Sequence, residues 1–148
     1  MRRVLVVDDD PDIRELLRVV LDWAGYEVVT VNDGMAAMET LLQTDETWVV
    51  LLDITMPRMT GLEVCARLSA LGGSAARHLV VLMTAGFFPE GDAPPPVRAY
   101  LPKPFDLDRL HNLVAELATA GPEANDDSGT SAAPVTYRAL DESDRLVA

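Results

Sequence analysis

The chain has 148 residues, enough for one domain with a hydrophobic core but with little room for a second. Its formal charge of −12 argues against a nucleic-acid surface, because phosphate contacts require clustered lysines and arginines. The single cysteine, Cys65, excludes an internal disulfide framework, and no apolar run approaches the roughly 20 residues of a membrane span. The basic start precedes only four apolar residues, too few for a signal peptide, so we expect a soluble, cytoplasmic protein.

Short apolar runs alternate with helical patterns, which is typical of βα units around a parallel sheet. Residues 4–7 form the first predicted strand. A helix follows, with Asp10 as its cap and Pro11 in its first turn, and Gly25 ends it. Its inward positions, at the 3.6-residue spacing of one helix face, are Ile13, Leu16, Leu17, Val20, Leu21 and Ala24.

The second unit comprises a strand at residues 27–31 and a helix that begins at Asp33, its cap, and runs to residue 43. Residues 48–52 are continuously apolar, which is typical of a strand buried on both faces. A third helix begins near Gly61 and runs to about residue 70. These elements extend the alternation of strands and helices.

Residues 72–74 form a predicted turn before a fourth, continuously apolar strand at residues 79–83. Residues 99–101 can form a short fifth strand, and Asp106 can cap a last helix. The residues of that helix expected to face the core are Leu107, Leu110, Val114 and Leu117. The pattern predicts five strands and about five helices.

The composition changes from residue 119 onward to Gly, Pro, Ser, Thr, Ala and acidic residues. Such a stretch buries too little apolar area to offset the entropy lost on ordering. We therefore predict a folded domain at residues 1–118 and an acidic, disordered tail at residues 119–148, with at most a short helix around residues 137–147.

Ligands of open α/β sheets bind beyond the carboxyl ends of the strands, so the residues that follow the strands belong together. They are Asp8, Asp9, Asp53, Thr84 and Lys103. Three carboxylates at one edge repel one another unless a divalent cation lies between them, and Mg²⁺ prefers oxygen ligands. Lys103 and Thr84 add an ammonium and a hydroxyl suited to phosphoryl oxygens. The set predicts a phosphoryl-transfer site.

Asp53 is the predicted nucleophile, because it ends the central buried strand and can form an aspartyl phosphate. Asp9 would be the main metal ligand, and Asp8 would contribute directly or through water. Lys103 is the only lysine among 12 basic residues, which strengthens its assignment to the site. A compact ammonium fits a tight phosphoryl site better than a broad guanidinium does.

With these residues the sequence resembles the receiver domains of two-component response regulators. The matching stretches are residues 4–11, 52–63, 84–85 and 103–105, and the resemblance covers about residues 1–118. It implies a flavodoxin-like (βα)₅ fold, a doubly wound sheet of five parallel strands in the order 2-1-3-4-5.

The resemblance also implies a role for each residue of the metal and acceptor site. Asp53 would take a phosphoryl group from the phosphohistidine of a sensor histidine kinase or a histidine phosphotransfer protein. Asp9, Asp53 and the Thr55 carbonyl would bind Mg²⁺, and Asp8 matches the second acidic residue of the metal site.

Four further positions match those that respond to the phosphoryl group. Thr84 matches the hydroxyl that turns toward it, Ala85 the small residue whose backbone N–H points there, and Lys103 the ammonium that pairs with it. Tyr100 matches the aromatic switch position. The Lys103–Pro104 bond matches the family's cis peptide.

The resemblance implies a signalling switch rather than an enzyme, with self-catalysed phosphoryl transfer and autodephosphorylation. Because no basic or catalytic segment follows residue 118, we expect a stand-alone receiver that binds an unidentified protein partner or passes phosphate through a relay. The tail would help to recruit that partner.

The sequence departs from the family between Thr84 and Lys103, where the family places a full helix. Residues 86–97 contain three consecutive prolines and two glycines, which are incompatible with a helix interior. We therefore predict that this helix is truncated to about a turn or replaced by a Pro-rich loop. Of Phe87 and Phe88, one is expected to be buried and the other exposed.

Each element of the site has a simpler interpretation when taken alone. These are a capping cluster at residues 8–10, an ordinary loop at residues 56–61, a strand end at Thr84, a core position at Tyr100 and a solvated lysine at Lys103. Their conjunction at successive strand ends favours the receiver. A non-phosphorylated scaffold is disfavoured because all five site residues are present, and a Mg²⁺-dependent phosphatase fits the Asp8–Asp9 pair and Lys103–Pro104 poorly.

Other distinctive side chains are predicted to be structural. They are Cys65, Met35, Met38, Met56, Met59 and Met83 as core fillers, Trp23 and Trp48 as packing residues, and His78 and His111 as structural or surface residues.

Overall fold

The computed structural model describes residues 2–85 and 95–119. Three predictions lie outside these residues: the replacement of a helix within residues 86–94, the burial of Phe87 or Phe88, and the disorder of the tail. They remain predictions. Within the described part of the chain, no helix is long and apolar enough to cross a membrane.

Five parallel strands form one sheet in the order β2-β1-β3-β4-β5, which confirms the predicted topology. The strands are β1 (Val4–Val7), β2 (Val28–Val31), β3 (Val49–Asp53), β4 (Leu79–Thr84) and β5 (Val97–Pro102). The predicted strands agree with these to within two residues at each end. Because all five run in the same direction, their carboxyl ends share one edge of the sheet.

Four α-helices connect or follow these strands in the described residues: α1 (Pro11–Trp23), α2 (Gly34–Leu42), α3 (Gly61–Leu71) and α4 (Leu107–Ala118). The predicted turn at residues 72–74 is the start of a short 3₁₀ helix, Gly73–Arg77. Asp10, Asp33 and Asp106 cap α1, α2 and α4 as expected, each accepting a hydrogen bond from a first-turn N–H.

The helix α3 begins with a capping box that the sequence analysis overlooked. The Thr60 hydroxyl accepts a hydrogen bond from the Glu63 N–H, and the Glu63 carboxylate accepts one from the Thr60 N–H at 2.8 Å. The pair satisfies backbone donors at the helix start and fixes where the preceding loop ends.

Both faces of the sheet are covered, which makes the fold doubly wound. On one face Leu17 of α1 and Leu110 of α4 pack against strand residues that include Val4 and Val6. On the other, α2 and α3 pack against residues that include Leu5 and Val7. Alternate side chains of one strand thus enter opposite cores, as strand geometry requires.

Four side chains predicted to be buried lie at the surface. Trp23 is 87% exposed and Met35 57%, while Leu16 and Leu107 are both 43% exposed. In α1 the buried face is centred on Leu17 and Leu21, and a 100° step from Leu17 carries Leu16 past the edge of that face. Trp48 and Cys65 are buried, as predicted.

Candidate functional site

The parallel sheet brings the predicted site residues to one edge. Asp8 follows β1, Asp53 ends β3, Thr84 ends β4 and Lys103 follows β5. The strand registers pair Asp53 with Met83 and Thr84 with Pro102, so these ends lie side by side. Adjacent strands are about 4.8 Å apart, which places the side chains within reach of one another.

Three carboxylates form the centre of the site. Asp8, Asp9 and Asp53 each offer one oxygen, and these oxygens lie within 4.8 Å of one another. Asp8 is fully buried, Asp53 is 5% exposed, and Asp9 faces solvent. Three carboxylate oxygens at this spacing, with one open side, fit a hard divalent cation such as Mg²⁺, which keeps several waters in its coordination shell.

Lys103 lies between the two buried carboxylates. Its Nζ is 2.8 Å from Asp8 Oδ2 and 3.4 Å from Asp53 Oδ1, and its side chain is 20% exposed. The ammonium offsets part of the negative charge that the fold buries here. It also lies within reach of any group bonded to an Asp53 oxygen.

The same surroundings shift the acidity of Asp53 and Lys103. Burial, followed by the charge of Asp8, raises the pKa of Asp53 to about 6, and Lys103 and the Thr55 N–H only partly oppose this. Burial alone would lower the pKa of Lys103. The hydrogen bond with Asp8 and the charges of Asp53 and Asp8 outweigh burial and raise it. A cation beside Asp53 would favour its ionised, nucleophilic form.

The backbone around Asp53 is held tightly. The Thr55 N–H donates to Asp53 Oδ1 at 3.3 Å, and the Ile54 N–H donates to the Met83 carbonyl at 3.1 Å. A Cβ atom at Gly61 would lie 2.5 Å from the Asp53 carbonyl oxygen, so only glycine fits there. The sequence analysis took Gly61 only as a helix start, and missed this contact.

Arg14 is a second residue that the sequence analysis missed. Its Nη1 donates to the Asp8 carbonyl oxygen at 2.7 Å, which ties α1 to the end of β1. The Asp10 N–H donates to Asp8 Oδ1 at 2.9 Å. The only sequence signal was an arginine beside the inward face of the helix, which fits a solvated residue equally well.

Thr84 is buried at 1% exposure, and its hydroxyl has no hydrogen-bond partner within the described residues. Most buried hydroxyls are paired, so an unpaired one on a residue that ends a strand at this edge is an observation to explain. The Thr84 carbonyl accepts from the Lys103 N–H at 2.7 Å, and Ala85 next to it is exposed.

Tyr100 is 6% exposed and packs in the core on the α2–α3 side of the sheet. Burial raises the pKa of its hydroxyl. This position is compatible both with a core residue and with the inward state of a switch, so the switch role stays a prediction. The cis peptide expected between Lys103 and Pro104 is present.

The two histidines lie away from this edge. His78 is buried and its Nδ1 accepts a hydrogen bond from the Trp48 N–H at 3.1 Å, whereas His111 is exposed. A structural role for His78 and a surface position for His111 agree with the prediction.

Comparison with known proteins identifies relatives of this arrangement. The family model of the response regulator receiver domain matches residues 4–115. The response regulator MprA of Mycolicibacterium vanbaalenii is 40% identical over 144 residues, an alignment covering 93% of this chain and 58% of the relative. MprA of Mycobacterium leprae is 40% identical over 114 residues, covering 73% and 47%. The chain thus spans about half the length of these curated relatives.

Solved structures show the same fold. The response regulator TrrA of Thermotoga maritima in complex with Mg²⁺-BeF superimposes with a TM-score of 0.67 at 34% identity, covering 79% of this chain and 99% of TrrA. TrrA in complex with the histidine kinase ThkA gives a TM-score of 0.66 at 33% identity, covering 80% and 100%. A CheY-like receiver domain from Methanospirillum hungatei gives 0.67 at 26% identity, covering 78% and 92%.

Proposed function

The chain belongs to the response regulator receiver domains of two-component signalling, and from that premise we propose that Asp53 accepts a phosphoryl group from a histidine kinase in a Mg²⁺-dependent reaction. The observation that carries the proposal is the site itself. A buried carboxylate ends the central strand, with an ammonium 3.4 Å away and two further carboxylates beside it.

The proposed transfer is an in-line displacement at phosphorus. An Asp53 carboxylate oxygen attacks and forms the O–P bond of an aspartyl phosphate, while the P–N bond to the donor histidine breaks. The electron pair of that bond remains on the imidazole nitrogen, and no external reductant or oxidant is required. Asp53 must be ionised to act, which its raised pKa of about 6 allows at neutral pH.

Asp8, Asp9, Asp53 and the Thr55 carbonyl would hold Mg²⁺. The bound ion would offset the repulsion among the carboxylates and the negative charge of the phosphoryl oxygens. Support comes from the donor set, three carboxylate oxygens within 4.8 Å of one another. The related TrrA structure contains Mg²⁺-BeF.

The neighbouring residues would bind the phosphoryl group and change conformation in response to it. Lys103, already 3.4 Å from Asp53 Oδ1, would pair with a phosphoryl oxygen. The unpaired Thr84 hydroxyl would donate to another, and the Ala85 N–H to a third. Movement of Thr84 would vacate space for Tyr100, which would carry the change to a downstream protein partner. The phosphoryl group would leave by self-catalysed hydrolysis.

A partner that carries the phosphohistidine needs a surface beside the site. Leu16, Val19 and Trp23 form an exposed apolar stripe along α1, whose first turn adjoins Asp9. Such stripes mark protein contacts more often than isolated apolar residues do. This supports a sensor kinase or a histidine phosphotransfer protein as the donor, and TrrA is seen in complex with a histidine kinase.

The test is to incubate the protein with Mg²⁺ and acetyl phosphate and to measure intact mass. Wild type is expected to gain the mass of one phosphoryl group, and that group should be acid-labile. Asp53→Asn is expected to gain none. Absence of the modification on wild type would favour the scaffold alternative. Rapid multiple turnover of phosphomonoesters would favour a phosphatase.

A further inference from the structure

The loop between β3 and α3, residues 54–60, carries Thr55 and is attached to the start of α2 at two points. The first is an ion pair in which Arg58 Nη2 lies 2.9 Å from Asp33 Oδ2. The two residues are 25 positions apart in the chain, so the pair links separate loops at the site edge of the sheet.

The second point is a close backbone approach. A Cβ atom at Gly34 would lie 3.0 Å from Met59 Cβ and 3.0 Å from Val64 Cγ2, so the missing side chain lets Met59 pack against the start of α2. Met56 and Met59 are each 5% exposed and anchor the loop in the core. Arg58, between these anchors, turns outward.

The backbone of Arg58 is in an unfavourable conformation. Its φ is 70°, the left-handed region that residues with a Cβ seldom occupy, and it is the only described non-glycine residue with a positive φ. Such a conformation persists where surrounding contacts hold it. Here the Met59 N–H donates to the Pro57 carbonyl at 2.7 Å and closes a tight turn around Arg58, while the ion pair with Asp33 holds the Arg58 side chain.

Asp33 is suited to this task because its carboxylate is already fixed. Oδ1 accepts a hydrogen bond from the Ala36 N–H at 2.8 Å as the cap of α2, which leaves Oδ2 for Arg58. The Asp33 side chain is 18% exposed, against 68% for Arg58. A fixed carboxylate therefore pairs with an exposed guanidinium.

We propose that the Arg58–Asp33 ion pair is a positioning device that holds the 54–60 loop so that Thr55 presents its backbone to the metal site. The inference rests on the proposed function, because it assigns the device to Mg²⁺ binding. Thr55 lies three residues from Arg58 and its N–H already bonds Asp53 Oδ1 at 3.3 Å. Release of Arg58 would loosen the attachment of the loop to the start of α2 and let Thr55 shift relative to Asp53.

A double-mutant cycle isolates the pair. Asp33→Asn keeps an oxygen that can cap Ala36 and removes the charge, Arg58→Gln removes the guanidinium, and the double variant removes both. Arg58→Lys restores a positive charge at the same position. Arg3→Gln is the matched control, because Arg3 and Glu27 form another 2.9 Å ion pair between distant positions, away from the site.

Two readouts are needed, on the full chain: the Mg²⁺ dissociation constant by calorimetry, and amide exchange across residues 54–60 without metal. Each single variant is expected to bind Mg²⁺ about fivefold more weakly, less than the 10- to 100-fold typical of buried supporting residues because this pair is partly exposed. The double variant should be no weaker than the singles, and Arg58→Lys should recover part of the loss. Exchange should rise in the loop, and Arg3→Gln should change neither readout.

Unchanged Mg²⁺ affinity in both single variants, or losses that multiply in the double variant, would overturn the inference while leaving the proposed function intact. A fall in thermal stability with unchanged loop exchange and unchanged affinity would also overturn it, because that result describes a merely structural pair. A wild type that binds no Mg²⁺ would refute the proposed function itself, and the positioning role with it.

Discussion

At the scale of single residues, the surroundings of Asp53 shift its pKa in opposite directions. Burial and the neighbouring Asp8 favour the protonated carboxyl, and Lys103 favours the ionised one. Burial and the charge of Asp8 outweigh Lys103 and raise the pKa of Asp53 from 3.8 to about 6. The carboxylate is therefore a stronger base than an exposed aspartate, yet it is ionised at neutral pH.

Mg²⁺ binding should weaken as pH falls through about 6, because protons and the cation compete for Asp53. One unit below the pKa, about nine tenths of Asp53 is protonated, so the dissociation constant should rise about tenfold. Calorimetry near pH 6 in two buffers of different ionisation enthalpy should show proton release on binding. Equal dissociation constants at pH 5 and pH 7.5 would contradict the assignment, and Asp53→Asn should release no proton.

His78 should make the fold sensitive to acid. Burial lowers the pKa of His78 below the ordinary histidine value, although the Leu41 carbonyl opposes this shift. The unfolded state therefore binds a proton more readily than the native state. The contribution of His78 to the free energy of unfolding should be constant above about pH 6.5 and should fall below it, with a slope of at most ~1.4 kcal/mol per pH unit for this one proton. The raised pKa of Asp53 acts in the opposite direction below about pH 6.

Urea unfolding of wild type and His78→Gln between pH 5 and pH 7.5 would measure this contribution. Glutamine keeps an acceptor for the Trp48 N–H but does not titrate, so the stability of the variant should fall less than that of wild type as the pH decreases below about 6.5. Identical slopes for the two proteins would show that His78 charges as easily in the native state as in the unfolded state.

At the scale of elements, the site depends on how closely α3 approaches the end of β3. Gly61 begins α3 directly against the Asp53 carbonyl, and Thr60 and Glu63 fix that start with reciprocal hydrogen bonds. The start of α3 and the proposed nucleophile Asp53 therefore share one backbone contact. A change in either element moves the other.

Gly61→Ala should destabilise the protein and impair phosphoryl acceptance. Its Cβ would meet backbone atoms, the Asp53 oxygen at 2.5 Å and Ile54 Cα at 3.0 Å, which cannot rotate away. We expect a loss of about 1–3 kcal/mol in unfolding free energy and slower phosphorylation by acetyl phosphate. Ser69→Ala, at an exposed position of the same helix, is the control and should neither lower the stability nor slow phosphorylation. Wild-type behaviour of Gly61→Ala would show that the Asp53 carbonyl can move without consequence.

Element positions were largely predictable because apolar runs and caps are local signals. Asp10, Asp33 and Asp106 each preceded a helical pattern and each proved to be a cap. The fifth strand is longer than predicted, six residues rather than three, because pairing with β4 extends it through Arg98 and Pro102, which favour strands weakly.

At the scale of the whole molecule, the sequence predicted which residues meet at the site but not the contacts that support them. Asp8, Asp53 and Lys103 could be grouped because parallel strands end at one edge. The Arg58–Asp33 ion pair and the close approach of Gly61 to Asp53 could not be predicted. Each contact involves a loop, and the sequence of a loop has no periodic pattern that predicts its path. The exposure of Trp23 could not be predicted either, because a helical pattern does not show which part of a helix its neighbours cover.

In a chain with a net charge of −12, the proposed Mg²⁺ would stabilise the entire fold as well as the site. The three clustered carboxylates repel one another in the native state, whereas the unfolded chain separates them. A cation that binds only the native state stabilises it by RT ln(1 + [L]/Kd), about 2.7 kcal/mol at a concentration one hundred times the dissociation constant. Chelation of Mg²⁺ with EDTA should remove this stabilisation and therefore lower the midpoint temperature of thermal unfolding. Asp9→Asn should abolish most of the Mg²⁺ effect, because it removes the exposed ligand without leaving a buried charge unpaired. If sodium chloride at equal ionic strength reproduced the whole shift, general screening of the acidic surface would account for it instead of a specific site.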